Sequence, residues 1–124
     1  MKKVRTFRDL IAWQRGMELA EAVYAATRLM PDSERFGLIS QLRRAAVSIP
    51  SNIAEGHARA SRPDYIRFLR VARGSLAELS TQLELAVRLR HLDRDPQLSD
   101  LVDEQARILQ GLIKSLERLN EQRS

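Results

Sequence analysis

The stretch SRPDYIRFLRVARGSLAELSTQLELA, residues 61–86, decides the fold. It opens as a helix start. Ser61 supplies a capping hydroxyl, Pro63 sits in the first turn, where its missing N–H is no loss, and Asp64 faces the positive end of the helix dipole. From there Tyr65, Leu69, Ala72, Leu76, Leu79, Leu83 and Ala86 alternate spacings of four and three, the repeat of an apolar seam on a long helix. The expected helix spans 62–91, and with such a seam it must bury one face against other helices, so the flanking segments settle the architecture.

Upstream, a second helix is expected over 34–56, with Leu38, Leu42, Ala45, Ile49 and, alongside, Ile39, Ala46 and Ile53 as its apolar face. Pro50 frees the carbonyl of Ala46 and bends this helix without ending it, and Gly56 is its expected stop. Before it, Thr6 with Asp9 has the pattern of a capping box and opens a helix over 7–30, ended by Pro31. Its main seam is Leu10, Trp13, Met17, Ala20 and Tyr24. A second stripe, Ala12, Gly16, Leu19, Val23 and Ala26, implies a second packed face. Downstream, Asp95 and Pro96 repeat the cap-plus-proline logic and begin a helix over 96–121 with Leu98, Leu101, Gln105, Ile108 and Leu112 on one line and Val102, Leu109, Ile113 and Leu116 on another. Short links between long helices make neighbours antiparallel. The expected fold is all-α, an antiparallel up-down four-helix bundle, with residues 1–124 as a single domain of ordinary size.

There is no cysteine, which removes disulfides and thiolate metal sites. The N-terminus carries Lys2, Lys3 and Arg5 but runs into charged helix, so it does not read as a signal peptide, and no apolar run reaches the ~18 residues of a membrane span. A cytoplasmic protein with no membrane partner is expected. The net charge of +5 is concentrated: residues 43–73 hold seven arginines against Glu55 and Asp64, residues 1–42 are net +2 and residues 74–124 net −2. Arginine outnumbers lysine 18 to 3, which suits phosphate and carboxylate recognition, although codon bias gives the same ratio.

Two features stand apart from the seams. Arg67, Arg70 and Arg73 recur every third residue, with Arg59 and Arg62 in the loop below, and such a ridge tracks phosphates or else forms a solvated face on which Asp64 pairs with Arg67. Beside the seam of the third helix, Ser75, Glu78 and Gln82 interrupt an apolar line; on the second, Gln41, Ser48, Asn52 and Glu55 do the same. A turn near residue 60 brings Gln41 opposite Glu78 and Ser48 near Ala72, so the stripes form a buried hydrogen-bond network, a subunit interface or a ligand site.

Little in the chain points to catalysis. No Glu-x-x-His occurs, so a di-iron bundle site is not expected. His57 and His91 fall at helix C-termini, where dipole interactions alone favour them. Ser48 and Ser75 lack a histidine and acid held around them, and the glycines are too scattered for a phosphate-cradling loop. No catalytic residue, metal or cofactor is expected.

Phe7, Asp9, Leu10, Trp13 and Gln14, then the unbroken run from Ser40 to Gly56 (SQLRRAAVSIPSNIAEG), then Ala72 to Leu79 (ARGSLAEL) resemble the bacterial four-helix-bundle proteins named after intervening sequences of 23S ribosomal RNA genes. The resemblance spans almost the whole chain. His57 and Ala58 depart from it, standing where many members carry a further glycine before the arginine matched by Arg59. It implies a four-helix bundle that assembles into a homopentameric ring. The family is also similar to the accessory variability protein of diversity-generating retroelements, a basic pentameric barrel associated with reverse transcriptase and nucleic acid. In such a ring Gln41, Arg44, Ser48, Asn52, Glu55, Arg73 and Glu78 would lie partly at the subunit interface. The expected function is a non-enzymatic, self-assembling scaffold that binds RNA or a nucleoprotein partner through Arg59, Arg62, Arg67, Arg70 and Arg73; the alternative is a protein–protein assembly module with no nucleic-acid binding.

Overall fold

A computed structural model describes residues 3–121; Lys2 and the ends of the expected domain lie outside them. Four helices carry the fold: α1 (Ile11–Thr27), α2 (Leu38–Ala58), α3 (Arg62–Arg88) and α4 (Pro96–Glu121). Each packs on its neighbours in the order α1–α2–α3–α4–α1, with α2 and α3 sharing the broadest contact. That is the antiparallel up-down four-helix bundle. No helix among the described residues is long and apolar enough to cross a membrane.

The start signals act as expected, with one exception. Ser61 Oγ accepts from the Asp64 amide at 3.2 Å, and Asp95 Oδ1 accepts from the amides of Gln97 and Leu98 at 3.0 and 3.3 Å. The Thr6–Asp9 capping box also forms, but it caps a 3₁₀ turn at Phe7–Asp9. Leu10 is extended, and α1 begins only at Ile11. Helix 2 likewise starts at Leu38 rather than 34, because Asp32–Glu34 is a separate 3₁₀ turn and Gly37 breaks from it. α1 ends at Thr27 and α3 at Arg88, each about three residues short of the expected limit. After α3, Arg90 takes a left-handed φ of 62°, and the amides of His91 and Leu92 turn back on the Ala86 carbonyl. A non-glycine residue in that conformation carries a strain of roughly 1 kcal/mol.

The core matches the expected seams on α2 and α3: Leu42, Ile49, Ile53, Leu69 and Leu79 are fully enclosed. On α1 both expected stripes reach the core, with Ala20 buried and Leu10 and Trp13 half-buried from the main seam, but the second stripe is the better enclosed. Ala12, Gly16, Leu19 and Val23 are buried, while Met17 and Tyr24 of the bulkier line stand outside. Small residues win because they admit close neighbours: a Cβ on Gly16 would lie 3.4 Å from both Pro50 Cβ and Gln105 Nε2. Gln105 is wholly buried on α4, and its side-chain amide donates to the Ala12 carbonyl at 3.0 Å. Arg15 adds an α1–α4 ion pair to Glu104 at 2.7 Å.

Gly56 does not stop α2. The helix runs on to Ala58 through Pro50, and no glycine has a positive φ. Gly56 instead marks a close crossing, where an added Cβ would sit 2.7 Å from Phe68 Cβ and 3.2 Å from the Tyr65 carbonyl. Gly74 has open space around it. Gly56→Ala should therefore destabilise the bundle by about 1–3 kcal/mol through overpacking. Gly74→Ala should stabilise it by roughly 0.5–1 kcal/mol through helix propensity alone. Urea midpoints at constant m-value measure both.

In the last turns of α3, Glu84 takes a two-point contact from Arg94 at 3.0 and 3.2 Å and a third bond from Arg88 at 2.9 Å. The hydrogen bonds from Arg94 and then Arg88 hold the Glu84 carboxyl at about 2, against an ordinary 4.5. A depressed carboxylate contributes stability above the unfolded value and loses it as pH falls towards the folded one. Stability should thus decline between about pH 4.5 and about 2, and Glu84→Gln should flatten that part of a thermal-midpoint profile, with added salt reducing the difference.

Candidate nucleic-acid interface

The five arginines expected to carry phosphate fall into two groups around α3. Arg59 and Arg67 converge on Phe68, their guanidinium carbons 4.8 and 4.5 Å from its ring centroid. Each also meets a carboxylate, Glu55 at 3.0 Å and Asp64 at 3.5 Å. Arg70 and Arg73 turn instead towards α4, where Arg70 pairs with Glu117 at 2.7 Å and Arg73 donates to the Gln110 side chain at 3.0 Å. Arg62 is half-buried, with its Nη1 enclosed and unpartnered among the described residues. The ridge is therefore exposed but largely occupied by its own neighbours. Nearby, Tyr65 packs edge-on against His57 at 5.7 Å, and burial raises the pKa of its hydroxyl.

The polar stripes do meet, one helical turn away from the expected register. Ser48 Oγ lies 2.8 Å from Ser75 Oγ, and the Asn52 side chain donates to the Ser48 hydroxyl at 2.9 Å and its carbonyl at 2.8 Å. Gln82 reaches Gln41 at a long 3.5 Å. Ser48 thus faces Ser75 rather than Ala72, and Gln41 faces Gln82 rather than Glu78. Only Ser75 is fully buried; Ser48, Asn52 and Gln82 are half-buried, while Gln41, Arg44, Glu55 and Glu78 are exposed. The stripe is a short hydrogen-bonded centre with a solvent-facing rim.

A third surface lies between α1 and α2. One groove of about 620 Å³ is lined mainly by Trp13, Met17, Tyr24, Val47 and Pro50. Continuous with it, towards the α1–α2 loop, is another of about 550 Å³ that brings Arg35, Arg43 and Arg44 together with Tyr24 and Phe36. Phe36 is 90 % exposed. Arg43 lies 4.5 Å over the Tyr24 ring, and its Nε donates to Thr27 Oγ1 at 2.8 Å. Across the loop, His91 Nε2 and Glu34 Oε2 are 3.1 Å apart. Among the described residues no cluster of three His, Asp or Glu is placed to hold a metal ion.

The model of the 23S rRNA-intervening sequence protein family matches residues 8–113. The chain belongs to that family. Its fold is similar to the crystal structure of a protein of unknown function from the S23 ribosomal protein family of Bacteroides thetaiotaomicron. The TM-score is 0.77 at 24 % identity, covering 84 % of this chain and 99 % of that one. None of the curated proteins matches.

In this member of the 23S rRNA-intervening sequence protein family, the α1–α2 surface is what the sequence reading passed over. Arg43 and Arg44 lay inside the basic block, but Phe36 belonged to no seam. An aromatic residue between Arg35 and Gly37, outside every apolar repeat, was the available signal.

The Ser48–Ser75 bond can be weighed directly. Ser48→Ala and Ser75→Ala, singly and together, should give a coupling free energy of about 0.5–1.5 kcal/mol in a double-mutant cycle. Additive losses would show that the two hydroxyls act separately.

Proposed function

We propose that this chain is a single-domain, non-enzymatic scaffold that assembles with copies of itself and takes RNA or a nucleoprotein partner on its arginine-rich surface, largely without sequence specificity. The observation that carries the reading is the apolar side chain left in water on two separate faces. Val71 and Leu85 on α3 with Leu89 just after it, and Met17 and Val47 in the Trp13-lined groove between α1 and α2, are each between 38 and 48 % exposed. Exposed apolar groups gathered in this way support a protein interface. Two different faces on one chain suit head-to-tail contact, which closes into a ring when the rotation per subunit permits. The homopentamer implied by the family resemblance is an assembly of this kind, with the rim of Gln41, Glu55 and Glu78 near its joints.

The nucleic-acid part rests on Arg59, Arg62, Arg67, Arg70 and Arg73. Exposed ion pairs such as Arg70–Glu117 contribute only about 0–1 kcal/mol. A phosphate offers a guanidinium the same two-bond, charge-assisted contact that a carboxylate does, so a polyanion exchanges with carboxylates held this weakly. Such a role places the protein in the cytoplasm. The second reading, an assembly module with no nucleic-acid binding, is favoured by the carboxylates already paired with Arg59, Arg67 and Arg70.

Light-scattering mass, with fluorescence anisotropy of a labelled structured RNA at several salt concentrations, separates the two. Replacing Arg67, Arg70 and Arg73 by Gln should lower the salt slope by about 0.7–0.9 for each phosphate the protein no longer neutralises. An oligomer that behaves in this way, and whose affinity falls with salt, supports the scaffold. A folded oligomer that binds no RNA at low salt leaves the assembly module, and a monomer at micromolar concentration overturns both.

A further inference from the structure

We infer that the groove between the end of α1, the α1–α2 loop and the start of α2 binds single-stranded nucleic acid, stacking an unpaired base on Phe36 while Arg35, Arg43 and Arg44 hold the adjoining phosphates. The inference rests on the nucleic-acid half of the proposed function and assigns it a surface distinct from α3.

Charge is the first argument. No carboxylate occurs among the described residues that line this groove, whereas Arg59, Arg67 and Arg70 on α3 each face one. The loop's own Glu34 is engaged elsewhere: one oxygen lies against His91, and the other accepts from the Leu38 amide at 3.2 Å. Glu21 lines the adjoining groove, where Arg28 lies with it. Three guanidinium groups thus converge with no internal anion to answer them, and they call for a negatively charged occupant.

The second argument is aromatic. Phe36 holds its ring in water at 90 % exposure, with the Arg35 guanidinium 5.4 Å from the centroid. A cation beside an open ring face makes a platform on which a base stacks. Arg43 is already ordered: its Nε donates to Thr27 Oγ1, and the Thr27 hydroxyl donates to the Val23 carbonyl at 2.8 Å, so binding need not freeze that side chain. The space of about 550 Å³ is in the range of small-ligand sites.

These features favour a single strand over a duplex. A duplex offers the same phosphates but keeps its base faces stacked, so the open ring of Phe36 would gain nothing from it. They also favour a nucleic acid over a second copy of the chain. An apolar face docked here would strip water from three cations without pairing them, which costs more than the buried ring returns.

The test uses a fluorescein-labelled decauridine and a labelled RNA hairpin of matched charge, titrated by anisotropy at several salt concentrations, with light-scattering mass for each variant. Phe36 is nearly all in solvent, so Phe36→Ala leaves the fold intact. The expected results are tighter binding of decauridine than of hairpin and a roughly five- to hundred-fold loss with Phe36→Ala at an unchanged salt slope. Arg35→Gln with Arg44→Gln should lower the slope by about 0.7 per phosphate released. Arg107→Gln, on exposed α4, should change neither. Equal binding of both RNAs with no effect of Phe36→Ala overturns the inference and leaves the proposed function standing. No binding of either RNA at low salt overturns both. A fall in mass with Phe36→Ala at unchanged RNA affinity makes the groove a joint between copies and overturns the inference alone.

Discussion

A methyl group at position 56 would lie 2.7 Å from Phe68 Cβ, and that lack of room sets how closely α2 and α3 approach. With the helices at this distance, Ser48 and Ser75 can share a hydrogen bond, and Asn52 can close the small polar centre beneath it. The same close crossing pins Phe68, where Arg59 from the turn and Arg67 from the next helix settle on its ring. α1 and α4 complete the bundle from the other side through a second close approach, at Gly16. The spacing of the bundle thus depends on two positions where a side chain is missing, more than on any large residue in the core.

Element type and order were legible because the α3 seam and the α2 apolar face each repeat over several turns, and because Ser61 and Asp95 mark starts with side-chain oxygens. Boundaries were less legible. Thr6 and Asp9 form their capping box around a 3₁₀ turn, since a capping pattern reports a local amide arrangement and not the length of the helix it opens. The balance between the two packed stripes of α1 was misjudged for a different reason. Met17 and Tyr24 have more apolar surface than Ala12 and Gly16, but burial goes to the line that lets neighbouring backbones come close. Gly56 was taken as a terminator, when its lack of a side chain serves packing inside a continuing helix.

Of the candidate site, the polar stripes were read correctly as a pair that meets, and the structure divides them into a bonded centre and an exposed rim. The arginines show why a count of charge says little about its availability. Those on α3 were the most regular in sequence, yet helical spacing and the neighbouring α4 also supply them with partners. Arg35, Arg43 and Arg44 have no regular spacing. They gather because a loop and two helix ends converge, which no periodicity can report.

The hydrogen bond from Gln105 to Ala12 joins positions 93 residues apart, across the one interface that unites the first and last helices. The other interfaces among the four long helices all join helices consecutive in the chain. In kinetic terms, three of the four interfaces close short loops and can form early, whereas the α1–α4 interface must wait for the whole chain to come round. Until it does, the α4-facing side of Ala12 and Gly16 stays open, so the last step of folding is also the one that completes the burial of α1.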